Sequence, residues 1–541
     1  MNVVTIRVVM LVCALAGLAA CGSSDGQGNP LEFVGATTVA TPGPAPLARS
    51  LTVATTVPTT LSVTVEDNSG HQLTFEYPGL RTNHAVNILG LRAGRLYAGG
   101  LTLTDERGRT IDQPLPPITT DPLPAGFPVI TLLGSDPAEM EAGLTLLETH
   151  RRDRTTGYLV VVDSDGEVVW YLETDGLQAV TRLGDDGLLL SMTAGDNMIQ
   201  KLDFLGNTIV DWHAAGSGSG SGTSIPIDGA DFHHDVFELP GGTILTSTRE
   251  SIRTVDNFPI DENDVNVTAT VTIREEPVIE FDTDGQIVGK WDFLDILKPT
   301  RIAFDGALGQ PDATDWVHLN SIWYEESDDT IITSLRHQDA VVKFSRATGD
   351  LIWILSPPDN WQGFESFLLQ PTNSPFGWSY HQHAATVTPN GTLLLFDNGN
   401  NKASPFTGQV PVPAAANHSR AVEYRIDEQT MTIEQVWEYG VNQSGEAIYT
   451  PFIGDADWLP TTENILITFG GICELNGMPS DDIRNCRVTG RVIEVTRDTF
   501  DKVFEIQIDD EDPMSLGYRT YRSERIPNLY PLGDAVVTVQ P

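Results

Sequence analysis

Gly157-Tyr158-Leu159-Val160-Val161-Val162-Asp163-Ser164-Asp165-Gly166-Glu167-Val168-Val169-Trp170 is the stretch that decides the fold. It reads as a strand, an Asp-Gly turn and a second strand ending in an indole. The same form recurs from Met198 through Gly206 to Trp212, from Val278 through Gly285 to Trp291 and from Val341 through Gly349 to Trp353. It returns from Ala421 to Trp437 and from Val492 to Phe504. Between these hairpins lies a second kind of strand pair, seen at Asp235–Leu245 and at Ala385–Leu395. Two alternating pairs give four antiparallel strands per unit. Six units make a six-bladed β-propeller, which removes long exposed edges by radial repetition. The Asp-x-Asp-Gly pieces at 163–166 and 282–285 lack a full calcium-loop ligand series and read as hairpin turns.

Outward from the repeats, residues 123–541 are assigned to the propeller. Residues 49–122 show short alternating strands, Leu61–Val65 and Leu73–Tyr77 among them, and predict a small immunoglobulin- or fibronectin-like β-sandwich. The Pro-rich run around 114–124 reads as a linker. Residues 21–48 are rich in Gly, Ser, Pro, Ala and Thr and read as a flexible tether. Residues 1–20 form a targeting segment: Arg7, then an apolar run from Val8 to Ala20 too short to span a bilayer comfortably. It ends Leu18-Ala19-Ala20-Cys21-Gly22, which resembles a bacterial lipoprotein cleavage box. That implies lipidation of Cys21, hence export and anchoring in the cell envelope, on its periplasmic side or at the surface. Cys13 is lost with the signal, and Cys473 and Cys486 then remain as a pair expected to form a disulfide.

The formal net charge is −42. Such a surface repels nucleic-acid phosphate and anionic headgroups, so neither is expected as a partner. It also makes a well-placed arginine notable. Seven of the eleven histidines fall between Phe232 and Ser419, which locates the chemistry. They sit just before or at the start of strands of the second kind. If those strands are innermost, His234, His318 and His383 meet near one mouth of the central channel from three successive blades. Arg336 lies on the return strand after His318, and Asn320 points the same way as His318 along its strand. Alternation lets only one of His233 and His234 face the channel. The choice between His381 and His383 stays open, and His337 should point away from Arg336. Imidazole can act as nucleophile, acid or base near neutral pH, and guanidinium suits sulfate, phosphate or carboxylate oxygens. No carboxylate or thiol is noted at ligand spacing, so no metal is assigned.

His-His-Asp at 233–235, Asp-Trp-x-His-x-Asn-Ser at 315–321, Ser-x-Arg-His-Gln at 334–338 and Gln-His at 382–383 followed by Leu-Phe-Asp-Asn-Gly at 395–399 resemble the bacterial arylsulfate sulfotransferase family. The resemblance covers nearly the whole chain after the signal. It implies a six-bladed propeller that moves a sulfuryl group from a phenolic sulfate ester to a phenol, without the nucleotide sulfate donor and with no cofactor. His383 would be the transiently sulfated nucleophile. Arg336 would hold the sulfuryl oxygens, His234 and His318 would bind oxygens or pass protons, and Asn320 would be a supporting donor. A homodimer is conceivable by the same likeness. The competing reading is a non-catalytic, lipid-anchored propeller that binds a ligand or protein partner.

Overall fold

The computed structural model describes residues 29–153, 156–176, 178–193, 197–220, 222–306, 313–441 and 445–540. The proposed signal and Cys21 lie outside the described residues. Among those described, regular helix is confined to Phe293–Ile296 and four short 3-10 turns.

Each of the six sequence repeats is the outer strand pair of one blade. Blade 2 is Gln178–Leu183, Leu189–Thr193, Met198–Leu202 and Thr208–Ala214. Blades 3, 4 and 5 open on the inner strands Asp231–Glu238, Leu319–Glu325 and His383–Val387, and blade 6 opens on Asp455–Trp458. Blade 1 takes its innermost strand from the far end of the chain: Ser523–Ile526 pairs antiparallel with Leu144–Arg151. Blade 6 in turn gains Val129–Ser135 on its outer edge, paired with Lys502–Asp509. The ring is therefore latched twice, and neither blade presents a free strand edge at the closure.

The repeated tryptophan has a physical reason. Trp170 donates its indole N–H to Phe204 O at 2.7 Å, Trp212 to Thr283 O at 3.2 Å and Trp291 to Arg346 O at 3.1 Å. Trp353 donates to Glu428 Oε1 at 2.8 Å and Trp437 to Arg497 O at 3.0 Å. In each case the acceptor belongs to the next blade, so the large apolar ring buries between sheets while its one polar atom is satisfied. Phe504 holds the same place in blade 6 and lies under the Arg525 guanidinium of blade 1. Separate apolar clusters fill the wedges between successive blades. In the channel, Asp235 accepts from Ile322 N at 2.8 Å and pairs with Arg182 at 3.1 Å and Arg522 at 3.0 Å. One buried carboxylate thus ties blades 2, 3 and 4 to the returning C-terminal segment.

The N-terminal region differs from the two-sheet sandwich expected over 49–122. Its strands form a single hydrogen-bonded sheet of seven, built on Arg49–Asp67 and Gln72–Ile88. Leu51, Leu61, Val63, Val65, Leu73 and Phe75 turn inward and cluster with Leu159, Trp170, Leu202, Phe204 and Tyr530. Alternation shows that one face is buried, not what buries it; here blades 1 and 2 contribute much of the cover. The last strand, Val536–Gln540, also joins this sheet, so the C-terminus leaves the propeller. The described part of the expected tether is packed: Thr38–Ala40 pairs with Ser50–Thr52, and Ala45, Leu47 and Ala48 are buried. Small residues that suit a linker equally suit close packing on a sheet.

Candidate active site

The three inner strands carry a register shift at the same place: between His233 and Val236, between Leu319 and Ser321, and between His383 and Thr386. A bulge adds a residue to one strand and re-aims its side chains. His234 (φ 66°) and His318 (φ 46°) take left-handed backbone conformations there, each at a cost of roughly 1–3 kcal/mol for a non-glycine residue. Such strain persists where the surroundings over-determine it, and here it turns both imidazoles into the channel mouth.

The mouth is a cavity of about 640 Å³. His233, His234, His318, Arg336, His337 and His383 line it, with Tyr521 from the C-terminal segment. The His234 and His318 rings lie 4.6 Å apart, and His337 stacks on His318 at 4.5 Å. Tyr521 sits 6.1 Å from His234 and 6.2 Å from His383, bridging the two. The Arg336 guanidinium is buried, donates to Pro451 O at 3.1 Å and has no ion-pair partner among the described residues. Its positive charge is left for a bound anion.

Hydrogen bonds fix the protons. His383 Nδ1 is 2.6 Å from Asn398 Oδ1, while Asn398 Nδ2 donates to Thr450 O and Ile453 O, both at 2.8 Å. The carboxamide cannot flip without facing its amide nitrogen away from two acceptors. His383 therefore donates from Nδ1 and presents the Nε2 lone pair. At His234 the order is reversed. Ser247 Oγ gives its one proton to His233 O at 2.8 Å and can only accept from His233 Nδ1 at 3.2 Å. The one proton on His233 Nδ1 is thus shared between Ser247 Oγ and the nearer His234 Nδ1 at 2.8 Å, which leaves the His234 proton on Nε2. His318 Nδ1 lies 2.6 Å from Asp315 Oδ2, a His–Asp pair that can carry the imidazole between neutral and charged forms.

Electrostatics agree with these states. Burial, then the Arg336 charge, holds the His383 proton affinity well below the ordinary histidine value. Burial and then His318 do the same at His234. Burial pushes His337 well down against the pull of Asp315, and His233 falls to about 3. Burial alone would raise Asp315, but His318 and His337 outweigh it and keep this carboxyl well below the usual range. Neighbouring Glu276 is pushed well up by burial and by the Asp315 charge, so Asp315 holds the negative charge of the pair.

Asp315, His318 and His337 offer ligand atoms within 4.8 Å of one another, so they could hold a metal ion. The carboxylate three residues before His318 escaped the sequence reading. Both Nδ1 atoms already have partners, His318 on Asp315 Oδ2 and His337 on Asp315 O at 2.7 Å. The donor set serves equally as a hydrogen-bonded acid–base pair.

Of the predicted residues, His234, His318, Arg336 and His383 line one cavity. Asn320 does not: it is fully buried beneath, and its Nδ2 donates to Gln382 O at 2.8 Å. It positions the segment before His383. Strand alternation misjudged two neighbours. His233 and His234 both face the cavity because of the bulge, and Arg336–Gln338 is a 3-10 turn that brings His337 in beside Arg336. His381 stays out, buried with Nδ1 3.0 Å from Asp339. Cys473 and Cys486 are bonded, and their loop carries Asp481, Ile483 and Arg484 onto the cavity wall. Arg152 reinforces that loop through Cys486 O and Ile483 O.

A family profile described as Arylsulfotransferase (ASST) matches residues 129–519. The arylsulfate sulfotransferase AssT of Escherichia coli O6:H1 is 28% identical over 421 residues, which cover 67% of this chain and 64% of that protein. The AssT of Lelliottia amnigena is 26% identical over 422 residues, with the same shares. The chain thus spans a little under two thirds of the length of these curated relatives. Among solved structures, a catalytically inactive virginiamycin B lyase from Staphylococcus aureus aligns over 70% of this chain and 99% of its own, at 10% identity. Its TM-score of 0.30 carries no argument. The profile match, which takes in every blade but for the innermost strand of blade 1, is what assigns the chain: it belongs to the arylsulfotransferase family.

Proposed function

We propose that this chain transfers a sulfuryl group from a phenolic sulfate ester to a phenol, in two half-reactions through a sulfated His383. The observation that carries the reading is the Asn398 clamp, which fixes the His383 proton on Nδ1 and so leaves the lone pair on Nε2, while burial and Arg336 keep the ring neutral. In the first half-reaction Nε2 forms a bond to sulfur as the sulfur–aryl oxygen bond breaks. Arg336 neutralises the sulfuryl oxygens, and His234 Nε2–H is available to an oxygen. The departing phenolate takes a proton from His318 where it needs one. In the second, the acceptor phenol attacks sulfur, its proton passes to His318 beside Asp315, and the N–S bond breaks. The phenols on either side supply aromatic rings that Tyr521 can face.

Export and lipid anchoring at Cys21 belong to the same reading. They are supported by the cleavage-box sequence and by the disulfide, which suits an oxidising compartment. The test is brief exposure to 4-nitrophenyl sulfate without acceptor, digestion and mass spectrometry. One sulfuryl group on the His383 peptide, absent from His383→Asn, is the expected result. Turnover by the folded His383→Asn protein sinks the proposal.

A further inference from the structure

The same cavity holds a second guanidinium that the transfer chemistry does not use. Arg519 lines it from the C-terminal segment, two residues before Tyr521. Arg519 thus lies on one wall of the cavity with Tyr521, their α-carbons at most about 7 Å apart. The side chain is largely buried, and no carboxylate or hydrogen-bond acceptor meets it among the described residues; Nε is fully enclosed and unpartnered. Arg484, at the rim of the same wall, likewise has no ion pair there.

That is unusual in this chain. Asp and Glu outnumber Lys and Arg by 74 to 32, and the nearby arginines have partners. Arg151 pairs with Asp510 at 2.7 Å, Arg522 with Asp235, and Arg152 with two loop carbonyls. The cavity's own carboxyl groups are otherwise engaged: Asp315 with His318, Asp481 with the Tyr449 hydroxyl, Asp305 with Asn401 and Glu262 with the Asp305 backbone. Burial and the neighbouring Arg152 even push Arg519 down to about 10. An uncompensated buried cation is costly, and it persists where a ligand supplies the missing charge.

We propose that Arg519, with Arg484 at the rim, forms a second anion subsite, so that the preferred phenols carry a further anionic group on the far side of the ring. This rests on the sulfuryl-transfer reading and specifies its substrate class. A carboxylate is the simplest such group, because the guanidinium fork meets it through two parallel N–H bonds. A sulfate or phosphate ester on the ring would satisfy the same donors.

The experiment compares 4-hydroxyphenylacetate with 4-ethylphenol as acceptors from 4-nitrophenyl sulfate. The wild type should favour the carboxylate in kcat/KM by about tenfold or more, the scale of one charge-assisted hydrogen-bond pair. Arg519→Met should bring that ratio to about one. Arg519→Lys, which keeps the charge but not the fork, should fall between and stands in should Arg519→Met fail to fold. Calorimetric titration of 4-hydroxyphenylacetate into His383→Asn protein, with and without the Arg519 change, reads the subsite without turnover. Arg519-dependent binding with no transfer to any phenol would leave the subsite standing and remove the enzyme reading. A wild type indifferent to the carboxylate in both assays, or a preference that survives loss of Arg519, overturns the subsite.

Discussion

Asp315→Asn separates the two half-reactions. The change is isosteric and removes one negative charge from beside His318 Nδ1, now 2.6 Å away. When His318 takes the acceptor's proton it becomes an imidazolium whose charge centre lies about 4 Å from the carboxylate. At an effective dielectric constant of about 20, that attraction is worth about 4 kcal/mol. At 1.36 kcal/mol per decade, the step that generates the imidazolium should slow by about 10³-fold. The first half-reaction with 4-nitrophenyl sulfate should be spared, because 4-nitrophenolate leaves as a stable anion and needs no proton. Rapid-mixing absorbance resolves the two. The variant should release a stoichiometric burst of 4-nitrophenol at close to the wild-type rate and then nearly stop, with phenol failing to restart it. A folded variant that loses the burst, or turns over within tenfold of wild type, refutes the assignment of Asp315 and His318 to the acceptor's proton.

Acid should destabilise the fold through the buried histidines. His233, His337 and His383 bind protons more weakly folded than unfolded, so their contribution is full above about pH 6.5 and is lost as pH falls below it. Each should remove up to about 1.4 kcal/mol between pH 7.5 and 5.5, so wild type should lose about that much more stability over the range than His383→Asn does; urea melts of both proteins at the two pH values check it, and equal pH dependences contradict it. Cys473→Ser with Cys486→Ser frees the loop that carries Asp481, Ile483 and Arg484, closed across 13 residues. The double variant should lose about 3 kcal/mol of stability and raise KM more than it lowers kcat; unchanged melting and KM would show the loop is held by Arg152 and its other contacts alone.

The blades were legible because they obey a local rule. Period-2 alternation, a tight turn and a terminal aromatic residue, Trp in five repeats of six, recur whatever lies around them, and each Trp has the same task between neighbouring sheets. The inner histidines were legible as a set for the same reason. The site's finer geometry was not, because it departs from the rule. Alternation sends one of His233 and His234 inward, but a bulge sends both; it sends His337 away from Arg336, but a 3-10 turn keeps them together. Asp315 and Asn398 stood inside the quoted motifs without a role of their own and Tyr521 was not singled out, since nothing in sequence marks a carboxamide as the group that fixes a tautomer. The spacing of Asp315 three residues before His318 was the one usable signal. Residues 519–526 reach the site only because the ring closes with C-terminal chain, a contact between positions far apart in sequence.

That closure links fold to chemistry. Three successive blades, whose bulges set the histidines, line the mouth together with the disulfide loop of blade 6. A further side comes from the segment that carries Arg519, Tyr521 and Arg522 and then becomes the innermost strand of blade 1. Arg522 binds Asp235, the residue beside His234, at 3.0 Å and Asn320 O at 3.2 Å, so latching the ring also seats the strands that hold His234 and His318. A propeller still open at blade 1 would have His383 and its Asn398 clamp, both on blade 5, but no Tyr521 between His234 and His383 and no guanidinium at 519. His383 and Arg336 are thus built from local sequence, whereas the wall that carries Tyr521 and Arg519 exists only once the chain's last blade strand has docked.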